Sequence, residues 1–174
     1  MNKEKVIIVD EDNNEIGTEE KIKAHKGGFL HRAFSIFVFN FKGELLIQQR
    51  AKEKYHCGEL WSNTVCSHPK PNEILEDAIH RRLKEEMGFD CGLKEVFSFI
   101  YLKEFENGLT EHEFDHVFVG KFDGGVLPNK EEVMNYKWIS IDELKKNISE
   151  NPEKYTYWFR VLINEHLEKL LIEV

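Results

Sequence analysis

The sequence predicts an α+β fold in which a mixed β-sheet is sandwiched between α-helices. Several strand-like segments are followed and interrupted by a few helical ones, an order typical of a mixed sheet with helices on its faces. The 174 residues are 41% hydrophobic and include 13 Phe and 3 Trp, which is enough apolar volume for one core. Because no Pro-, Gly- or Ser-rich linker and no repeat divides the chain, we expect residues 1–174 to form a single domain.

The first half of the chain is predicted to contain mainly strands and turns. High apolar and aromatic density over residues 33–41 predicts a buried strand, and Lys42 and Gly43 turn the chain into a second strand that should pair with it as a hairpin. The predicted segments are, in order, a strand at 5–10, a turn at 10–14, a polar stretch compatible with a helix at 18–24, and strands at 33–41 and 44–50.

The clearest helix signal covers residues 71–88. Asn72 is the predicted N-cap, acidic residues including Glu73 follow in the first turns, and Gly88 is placed to end the helix. The apolar stripe of this helix recurs at three- and four-residue steps and comprises Leu75, Ala78, Ile79, Leu83 and Met87.

The last third of the chain is predicted to complete the sheet and to add two helices. The predicted segments are strands at 96–105, 113–122 and 136–141, a short helix at 141–148 that Ser140 could cap, and a final amphipathic helix at 155–172.

The charge balance limits the partners of the protein. With 32 acidic and 24 basic residues the formal net charge is −8, which argues against nucleic acid and anionic membrane, since both are bound through basic patches. A small anionic ligand remains possible where positive charge is concentrated locally. No apolar run approaches the roughly 18 residues needed to span a bilayer, and the first apolar run is too short for a signal sequence. We therefore expect a cytoplasmic protein.

The cysteines fit neither a disulfide framework nor a structural zinc site. Cys57, Cys66 and Cys91 are odd in number and show no CxxC spacing. In a reducing compartment each is then either a buried apolar residue or a reactive thiol.

Adjacent carboxylates lie near the end of the helix predicted at 71–88. Arg81 with Glu85 and Arg82 with Glu86 are i,i+4 pairs, and such pairs are typical of a solvated charged face. The alternative is that Glu85 and Glu86 supply oxygen ligands to Mg²⁺, a hard cation that prefers carboxylates, water and phosphate. Spacing alone favours the solvated face.

A thiol and an imidazole lie two residues apart before Pro69. In a strand, Cys66 and His68 would point to one side and into one cavity, where the thiol could donate or accept a proton. The imidazole could bind a metal or transfer a proton. A packed Cys beside a surface His is the more common arrangement of such a pair.

Three carboxylates alternate around the start of the strand predicted at 113–122. Glu111, Glu113 and Asp115 would share one face, which is either solvated or neutralised by a cation, and spacing alone favours solvation. If the fold brought imidazoles to this face, the mixed site could hold a divalent metal such as Zn²⁺ or Mn²⁺. The candidate imidazoles are His25, His31 and His68.

Four basic residues on separate elements could bind phosphate. Each of them alone is best interpreted as a surface cation, but together they could clamp a diphosphate, with Arg offering bidentate contacts and Lys point charges. These residues are Lys21, Arg50, Lys54 and Arg82.

Residues 67–89 resemble the Nudix box, a motif with fixed Gly, Glu, Arg and aliphatic positions. The matching residues are Glu73, Arg81, Leu83, Glu85, Glu86 and Gly88. Two positions depart from the motif, since Ser67 replaces the first Gly and Arg82 replaces the Glu that follows the Arg. In Nudix hydrolases that Glu belongs to the acidic set that binds metal, so a cation in its place argues against diphosphate hydrolysis.

The surrounding motifs resemble the type I isopentenyl-diphosphate isomerase family of the Nudix superfamily, from Val6 to about Phe159. They are the spacing of His25 and His31, Phe39-Asn-Phe-Lys-Gly43, Gln49-Arg50-Ala51, Trp61-Ser-Asn-Thr-Val-Cys66-Ser-His68-Pro69 and Glu111-His-Glu113. The resemblance implies a Nudix α/β/α sandwich, expected as a monomer or a dimer. It implies isomerisation of isopentenyl diphosphate to dimethylallyl diphosphate through a tertiary carbocation, which supplies isoprenoid biosynthesis.

The resemblance also implies two metal sites. The ligands of one divalent ion, which could be Mn²⁺, Zn²⁺ or Mg²⁺, match His25, His31, His68, Glu111 and Glu113. The residue that holds Mg²⁺ together with the substrate diphosphate matches Glu86.

The same resemblance assigns catalytic and substrate-binding roles. Cys66 and Glu113 match the two acid–base residues on opposite faces of the substrate, and Tyr101 matches the tyrosine beside the acid. Glu113 is favoured as the proton donor and Cys66 as the acceptor, although the order could be reversed. Trp158 matches an aromatic residue that stabilises the carbocation. The residues that match diphosphate contacts are Lys21, Arg50, Lys54 and Arg82.

Two other functions remain open at this point. A Nudix diphosphohydrolase would act on a nucleoside or prenyl diphosphate and release phosphate. A regulatory module on a Nudix scaffold would bind metal or diphosphate without turnover.

Overall fold

The structure is a computed structural model that describes residues 4–54 and 56–172, and within them one mixed sheet has nine strands. The strands are β1 Lys5–Val9, β2 Glu15–Glu20, β3 His31–Phe39, β4 Leu45–Arg50, β5 Trp61–Ser62, β6 Val65–Ser67, β7 Leu93–Glu104, β8 Thr110–Lys121 and β9 Val133–Ile139. The helices are α1 Lys21–Gly27, α2 Leu75–Met87, α3 Ile141–Glu150, α4 Tyr157–Glu165 and α5 Leu167–Leu171, and a 3₁₀ turn covers Pro152–Lys154. None of these described helices is long and apolar enough to cross a membrane.

Strand β3 lies at the centre of the sheet. It runs parallel to β8 along its whole length, from His31 opposite Glu113 to Phe39 opposite Lys121. It also pairs antiparallel with β6, while β8 pairs antiparallel with β7 and β4 pairs antiparallel with β9. The first residues of β3 and the early residues of β8 therefore meet at one end of the sheet.

Alternate residues of β3 face two separate cores, and this confirms the predicted sandwich. Phe37 packs with Phe159 of α4 and with other residues of α3 and α4. Ile36 packs on the opposite face with Leu83 and its neighbours in α2. Of the stripe predicted for α2, Leu75 is half-buried, and the fully buried members are Ala78, Ile79, Leu83 and Met87. The sheet thus has helices on both faces.

The polar stretch at 18–24 is divided between a strand and a helix. The turn predicted at 10–14 is confirmed, because the Asp10 carboxylate accepts from the backbone N of Asp12 and Asn14 at 3.0 and 2.8 Å. This turn returns the chain alongside β1, where Glu15–Glu20 pairs as β2. Helix α1 begins only at Lys21, so a helix over the whole stretch was wrong: the ladder hydrogen bonds of β2 with β1 override the helical propensity of Glu19 and Glu20.

The hairpin predicted between 33–41 and 44–50 is confirmed only at its turn. Phe39 pairs with Leu45, and the backbone N of Asn40 donates to Glu44 O at 2.9 Å. Beyond this pair β4 leaves β3 and pairs with β9 instead. The separation leaves an edge of β3 to which β6 adds, and it places Cys66 opposite a residue of β3.

Helix α2 begins two residues later than predicted. Asn72 has a φ of +64° and is not the N-cap, a position that Ile74 occupies without a side-chain cap. Glu73 instead closes a turn, since its backbone N donates to Lys70 O at 3.0 Å and its carboxylate accepts from Arg81 Nε at 2.5 Å. The side chain of Glu73 is thus paired with Arg81 of α2, while its backbone lies in the turn before the helix.

The two predictions for C-terminal helices had different outcomes. Ser140 caps α3 as predicted, because its Oγ accepts from the backbone N of Glu143 at 3.3 Å. The single helix predicted at 155–172 is wrong, since His166 has a φ of −127° and separates α4 from α5. The His166 ring packs on Phe97 and Phe99 of β7, with ring centroids 5.1 Å apart in both pairs.

The end of α2 gives a first testable prediction. Gly88 has a φ of +76°, and a Cβ at this position would lie 2.3 Å from Leu127 O. Gly43 has a similar φ of +77° but open space around it, which makes it a matched control. We expect Gly43→Ala to lower the free energy of unfolding by about 1–2 kcal/mol from backbone strain alone. Gly88→Ala should lower it by at least about 1 kcal/mol more because of the added clash. Urea titration of both variants measures the difference, and equal losses would contradict the clash.

Candidate active site

One cavity collects most of the residues predicted for the site. The empty space in the cavity, together with open solvent at its mouth, is about 410 Å³. The lining residues that match the sequence prediction are Lys21, Arg50, Lys54, Cys66, His68, Arg82, Tyr101, Glu111, Glu113 and Trp158. The lining also includes His56 and Ser67.

The strand register brings two carboxylates into this cavity. Glu111 and Glu113 are two residues apart on β8, and both point inward with exposed fractions of 2% and 7%. Asp115 lies on the same face and is also buried, where it accepts from Ser35 Oγ at 2.8 Å. The predicted alternation is confirmed, and the interpretation of this face as solvated is wrong.

Tyr101 joins the two glutamates. It lies on β7 opposite Glu113, and its hydroxyl donates to Glu113 Oε2 at 2.7 Å and to Glu111 Oε2 at 3.2 Å. Burial, together with both carboxylates, raises the Tyr101 pKa well above its usual value, so the phenol keeps its proton.

Two imidazoles lie close to the other oxygen of Glu113, and a third lies beside them. The Nε2 atoms of His68 and His31 lie 2.9 and 3.5 Å from Glu113 Oε1. His25, in the last turn of α1, has its ring centroid 4.7 Å from that of His31 and 5.9 Å from that of His68. The coordinating atoms of His25, His31, His68 and Glu113 all lie within 4.8 Å of one another.

The predicted set of five ligands is therefore not one group. Glu111 belongs to a second group, in which its coordinating atom and those of His25 and His56 lie within 4.8 Å of one another. His25 is common to both groups, and all the members of both are buried.

Charges in this cluster suit a divalent cation. Burial lowers the pKa of His25 to about 4 and that of His68 to about 3, so both rings are neutral and can offer a lone pair. Burial and the neighbouring Glu113 raise the pKa of Glu111 well above its usual value. Burial also acts to raise the pKa of Glu113, but hydrogen bonds from His31 and His68 outweigh it and bring the pKa well below its usual value.

The side chains of this cluster fit a metal site. Two adjacent buried carboxylates repel each other, and a cation between them would remove that repulsion. His68 Nδ1 is buried and makes no hydrogen bond with any residue that the structure describes. Neutral imidazoles and carboxylates are the ligands of a mixed nitrogen and oxygen site for a divalent transition metal.

Cys66 faces the same cavity from β6. The strand ends at Ser67, but Cys66 and His68 both line the cavity, the placement that their spacing predicts. The Cys66 Sγ lies 3.5 Å from Arg50 Nη1 and 3.9 Å from Ser62 Oγ. Burial raises the Cys66 pKa to about 11, so the group is a thiol at neutral pH.

Trp158 forms an aromatic wall of the cavity. It is only 3% exposed, and its indole Nε1 donates to Ser62 Oγ at 3.1 Å and to Asn63 Oδ1 at 3.2 Å. The Arg50 guanidinium carbon lies 5.4 Å from the centre of the Trp158 ring system, which shows that this wall accommodates a cation.

The four predicted basic residues converge on the cavity from different elements. Lys21 begins α1, Arg50 ends β4, Lys54 lies in the following loop and Arg82 lies on α2. Three of them also contact carboxylates: Lys21 Nζ lies 3.2 Å from a Glu4 oxygen, Lys54 contacts Glu132, and Arg82 Nη1 donates to Glu85 at 2.8 Å. Local positive charge is thus present in a protein of net charge −8.

Glu86 lies beside the cavity but does not line it. Its Oε1 contacts Arg82 Nη2, and its Oε2 accepts from Gln48 Nε2 at 2.9 Å. Glu86 is buried, whereas the Glu85 side chain is 43% exposed. The solvated-face interpretation therefore holds for Glu85 and is wrong for Glu86.

Sequence reasoning missed His56. It lies in the loop between β4 and β5, is 6% exposed, and has its Nε2 2.8 Å from Glu111 Oε1. Burial lowers its pKa to about 3. Neither periodicity nor spacing could identify this residue, because an irregular loop carries it into the cavity.

Comparison with known proteins agrees with this architecture. A family model described as the NUDIX domain matches residues 29–159. Among solved structures, a Deinococcus radiodurans protein has a TM-score of 0.76 at 18% identity and covers 92% of this chain and 97% of its own. A MutT protein from Methanosarcina mazei has a TM-score of 0.67 at 18% identity, covering 80% and 94%. At these identities the two structures support the fold alone.

Curated relatives are much more similar in sequence. A Burkholderia multivorans protein named isopentenyl-diphosphate Delta-isomerase is 52% identical over 92% of this chain and 91% of its own length. A Photorhabdus laumondii protein named isopentenyl-diphosphate Delta-isomerase 2 is also 52% identical, over 91% of this chain and 90% of its own. The chain therefore belongs to the isopentenyl-diphosphate Delta-isomerase family and carries a Nudix domain.

Proposed function

We propose that this protein isomerises isopentenyl diphosphate to dimethylallyl diphosphate. The observation that carries the proposal is that a thiol, a carboxylate paired with a phenol, and four basic side chains line one cavity. The relatives that are 52% identical over nearly the whole chain bear the name of this activity.

The basic side chains are proposed to bind the diphosphate of the substrate. The arginines would make bidentate contacts with phosphate oxygens, and the lysines would add point charges. The residues concerned are Lys21, Arg50, Lys54 and Arg82. With the diphosphate held there, the hydrocarbon part would lie between Cys66 and Glu113 and against Trp158.

Two divalent ions are proposed to bind, each to its own set of residues. Glu86 would bind Mg²⁺ together with the substrate diphosphate. Arg82, which contacts Glu86 in the structure, would then contact the diphosphate instead. The second ion, for which Mn²⁺, Zn²⁺ and Mg²⁺ are candidates, would be held by His25, His31, His68, Glu111 and Glu113. When bound, this ion supplies positive charge next to the Glu113 carboxyl group.

Cys66 and Glu113 are proposed to perform the two proton transfers. A proton added at C4 of the alkene leaves a tertiary cation at C3, and loss of a proton from C2 then forms the C2–C3 double bond. One of the two groups donates the first proton and the other accepts the second. Tyr101 holds the Glu113 carboxyl group in position through a hydrogen bond of 2.7 Å.

The walls of the cavity are proposed to protect the carbocation. Trp158 is almost fully buried, and an aromatic face stabilises a desolvated cation by about 2 kcal/mol. Glu113 and Tyr101 are buried as well and Cys66 is half-buried, and exclusion of water prevents capture of the cation as an alcohol.

An isotope experiment tests the proposed function. The protein is incubated with isopentenyl diphosphate, Mg²⁺ and Mn²⁺ in D₂O, and the organic products are followed by NMR while free phosphate is measured. We expect dimethylallyl diphosphate with deuterium in a methyl group and no release of phosphate, since the added proton comes from an acid that exchanges with solvent.

Other outcomes would contradict the proposal in distinguishable ways. Release of phosphate without labelling of the carbon chain would indicate a diphosphohydrolase. Binding of the substrate without either change would indicate a regulatory binding module. The observation against hydrolysis is that Arg82 contacts both Glu85 and Glu86, where the hydrolases have a further carboxylate.

Several expectations from the sequence stay predictions. They are that residues 1–174 form a single domain, that the protein is cytoplasmic, that it is a monomer or a dimer, and that it binds neither nucleic acid nor membrane. That the isomerisation supplies isoprenoid biosynthesis is likewise part of the proposal.

A further inference from the structure

We propose that His56 is a sixth ligand of the divalent ion, which is then held by four imidazoles and two carboxylates. The inference deepens the proposed function, on which it rests only for the presence of an ion at this cluster. It follows from the position of His56, from the donor atom of His25, and from the orientation of two carboxylates.

His56 packs between aromatic rings beside the cluster. Its ring stacks on Phe105 with centroids 5.6 Å apart and an interplanar angle of 15°, and its edge faces Trp158 at 6.0 Å. Its Nε2 lies 2.8 Å from Glu111 Oε1, and its ring centroid lies 5.8 Å from that of His25. The imidazole therefore contacts a predicted ligand, and aromatic side chains pack against it.

The donor atom of His25 links the two groups. The Nδ1 of His25 donates to Lys21 O at 2.7 Å, which leaves Nε2 as the nitrogen that can coordinate. A single ring nitrogen binds only one cation. Because His25 belongs to the group with His31, His68 and Glu113 and also to the group with His56 and Glu111, two separate ions could not both be bound through His25, and an ion at His25 has both groups beside it.

The distances within each group are close to those of a coordination sphere. Ring nitrogens bound to one ion at about 2.1 Å lie about 3 Å apart when adjacent and about 4.2 Å apart when opposite. The coordinating atoms of each group lie within 4.8 Å of one another, close to that span. The six donors do not form one such group, so binding to a common ion would require the two groups to draw together around His25.

The carboxylates point the same way. Glu111 Oε1 faces His56 and Glu113 Oε1 faces His31 and His68, while both Oε2 atoms accept from Tyr101. The Oε1 atoms thus lie on the imidazole side, and the Oε2 atoms lie on the tyrosine side. An ion on the imidazole side would receive one oxygen from each glutamate.

The donor set then selects the class of metal. Four imidazole nitrogens and two carboxylate oxygens favour a divalent transition metal, whereas Mg²⁺ and Ca²⁺ prefer all-oxygen sites. We therefore expect this cluster to bind Co²⁺, Mn²⁺ or Zn²⁺ and to discriminate against Mg²⁺. Mg²⁺ would be confined to the diphosphate site at Glu86.

Metal binding by the intact protein tests the inference. The affinity for Co²⁺ is measured by competition with a chelator, and a crystal of the Co²⁺-loaded protein gives the distance from the ion to His56 Nε2. We expect a distance of about 2.1 Å. We expect His56→Phe, which keeps an aromatic ring on Phe105, to lower the affinity by at least about 10-fold. His56→Gln serves as a second variant, and thermal melting without metal shows whether each variant folds.

His80→Ala is the matched control. His80 is an imidazole on α2 that contacts Asp90 and Glu76 and does not line the cavity, so its loss should leave Co²⁺ affinity unchanged. Two ions at the cluster, or one ion more than about 3 Å from His56 Nε2, would overturn the inference. Unchanged affinity in His56→Phe would also overturn it. Because none of these measurements uses turnover, failure of the isotope experiment would leave the result for His56 intact.

Discussion

Cys66→Ala is expected to reduce the kcat of isomerisation by at least about 100-fold, because removal of one proton-transfer group costs about 10²–10⁴-fold. The Cys66 side chain is half-buried and lines the cavity, and the alanine methyl group carries no exchangeable proton on that face. The KM for isopentenyl diphosphate should change little, since the proposed diphosphate contacts remain. Initial rates of formation of dimethylallyl diphosphate measure both constants.

Cys91→Ala is the control for this prediction. Cys91 is another half-buried free thiol, but it does not line the cavity, so its variant should keep full activity. A circular dichroism melt of both variants confirms that they fold. Substantial turnover in Cys66→Ala would contradict the role proposed for the thiol.

The same variant distinguishes the two orders of proton transfer. If Glu113 donates the first proton, Cys66→Ala still forms the carbocation reversibly, and substrate recovered from D₂O contains deuterium at C4. If Cys66 donates it, the recovered substrate stays unlabelled.

Much of the fold follows from periodicity in the sequence. The stripe that begins at Leu75 predicts the buried face of α2, and the alternation of Glu111 with Glu113 predicts which residues of β8 face inward. Helix ends were less predictable where side-chain contacts accompany them. Glu73 lies in a turn before α2 and pairs with Arg81, and His166 interrupts the final helix where it packs on β7.

The residues of the candidate site could be predicted from the resemblance to the family, but their arrangement in space could not. Spacing places Cys66 and His68 two residues apart, but their convergence with His25 depends on the parallel pairing of β3 and β8 and on the placement of α1. His56 was not predictable, because the irregular loop that carries it has no period from which its direction could be read. Resemblance supplied the expected residues, and the structure supplied the additional imidazole.

Glu113→Gln is expected to lower kcat by at least about 100-fold even when metal is bound, since an amide cannot supply or accept the required proton. Glu113 also contacts His31 and His68, so the variant is expected to bind the divalent ion more weakly. The loss of activity therefore has two physical causes that have to be separated. Rates are measured at increasing Mn²⁺, with the bound metal quantified for each sample.

Glu111→Gln provides the comparison that separates them. Both glutamates are buried, both accept from Tyr101, and both belong to the metal-ligand groups, but only Glu113 is proposed to transfer a proton. At saturating Mn²⁺ we expect Glu111→Gln to regain activity and Glu113→Gln to remain inactive. Equal recovery of both variants would show that the carboxyl group of Glu113 serves only as a ligand, and the acid–base role would then have to pass to another group in the cavity.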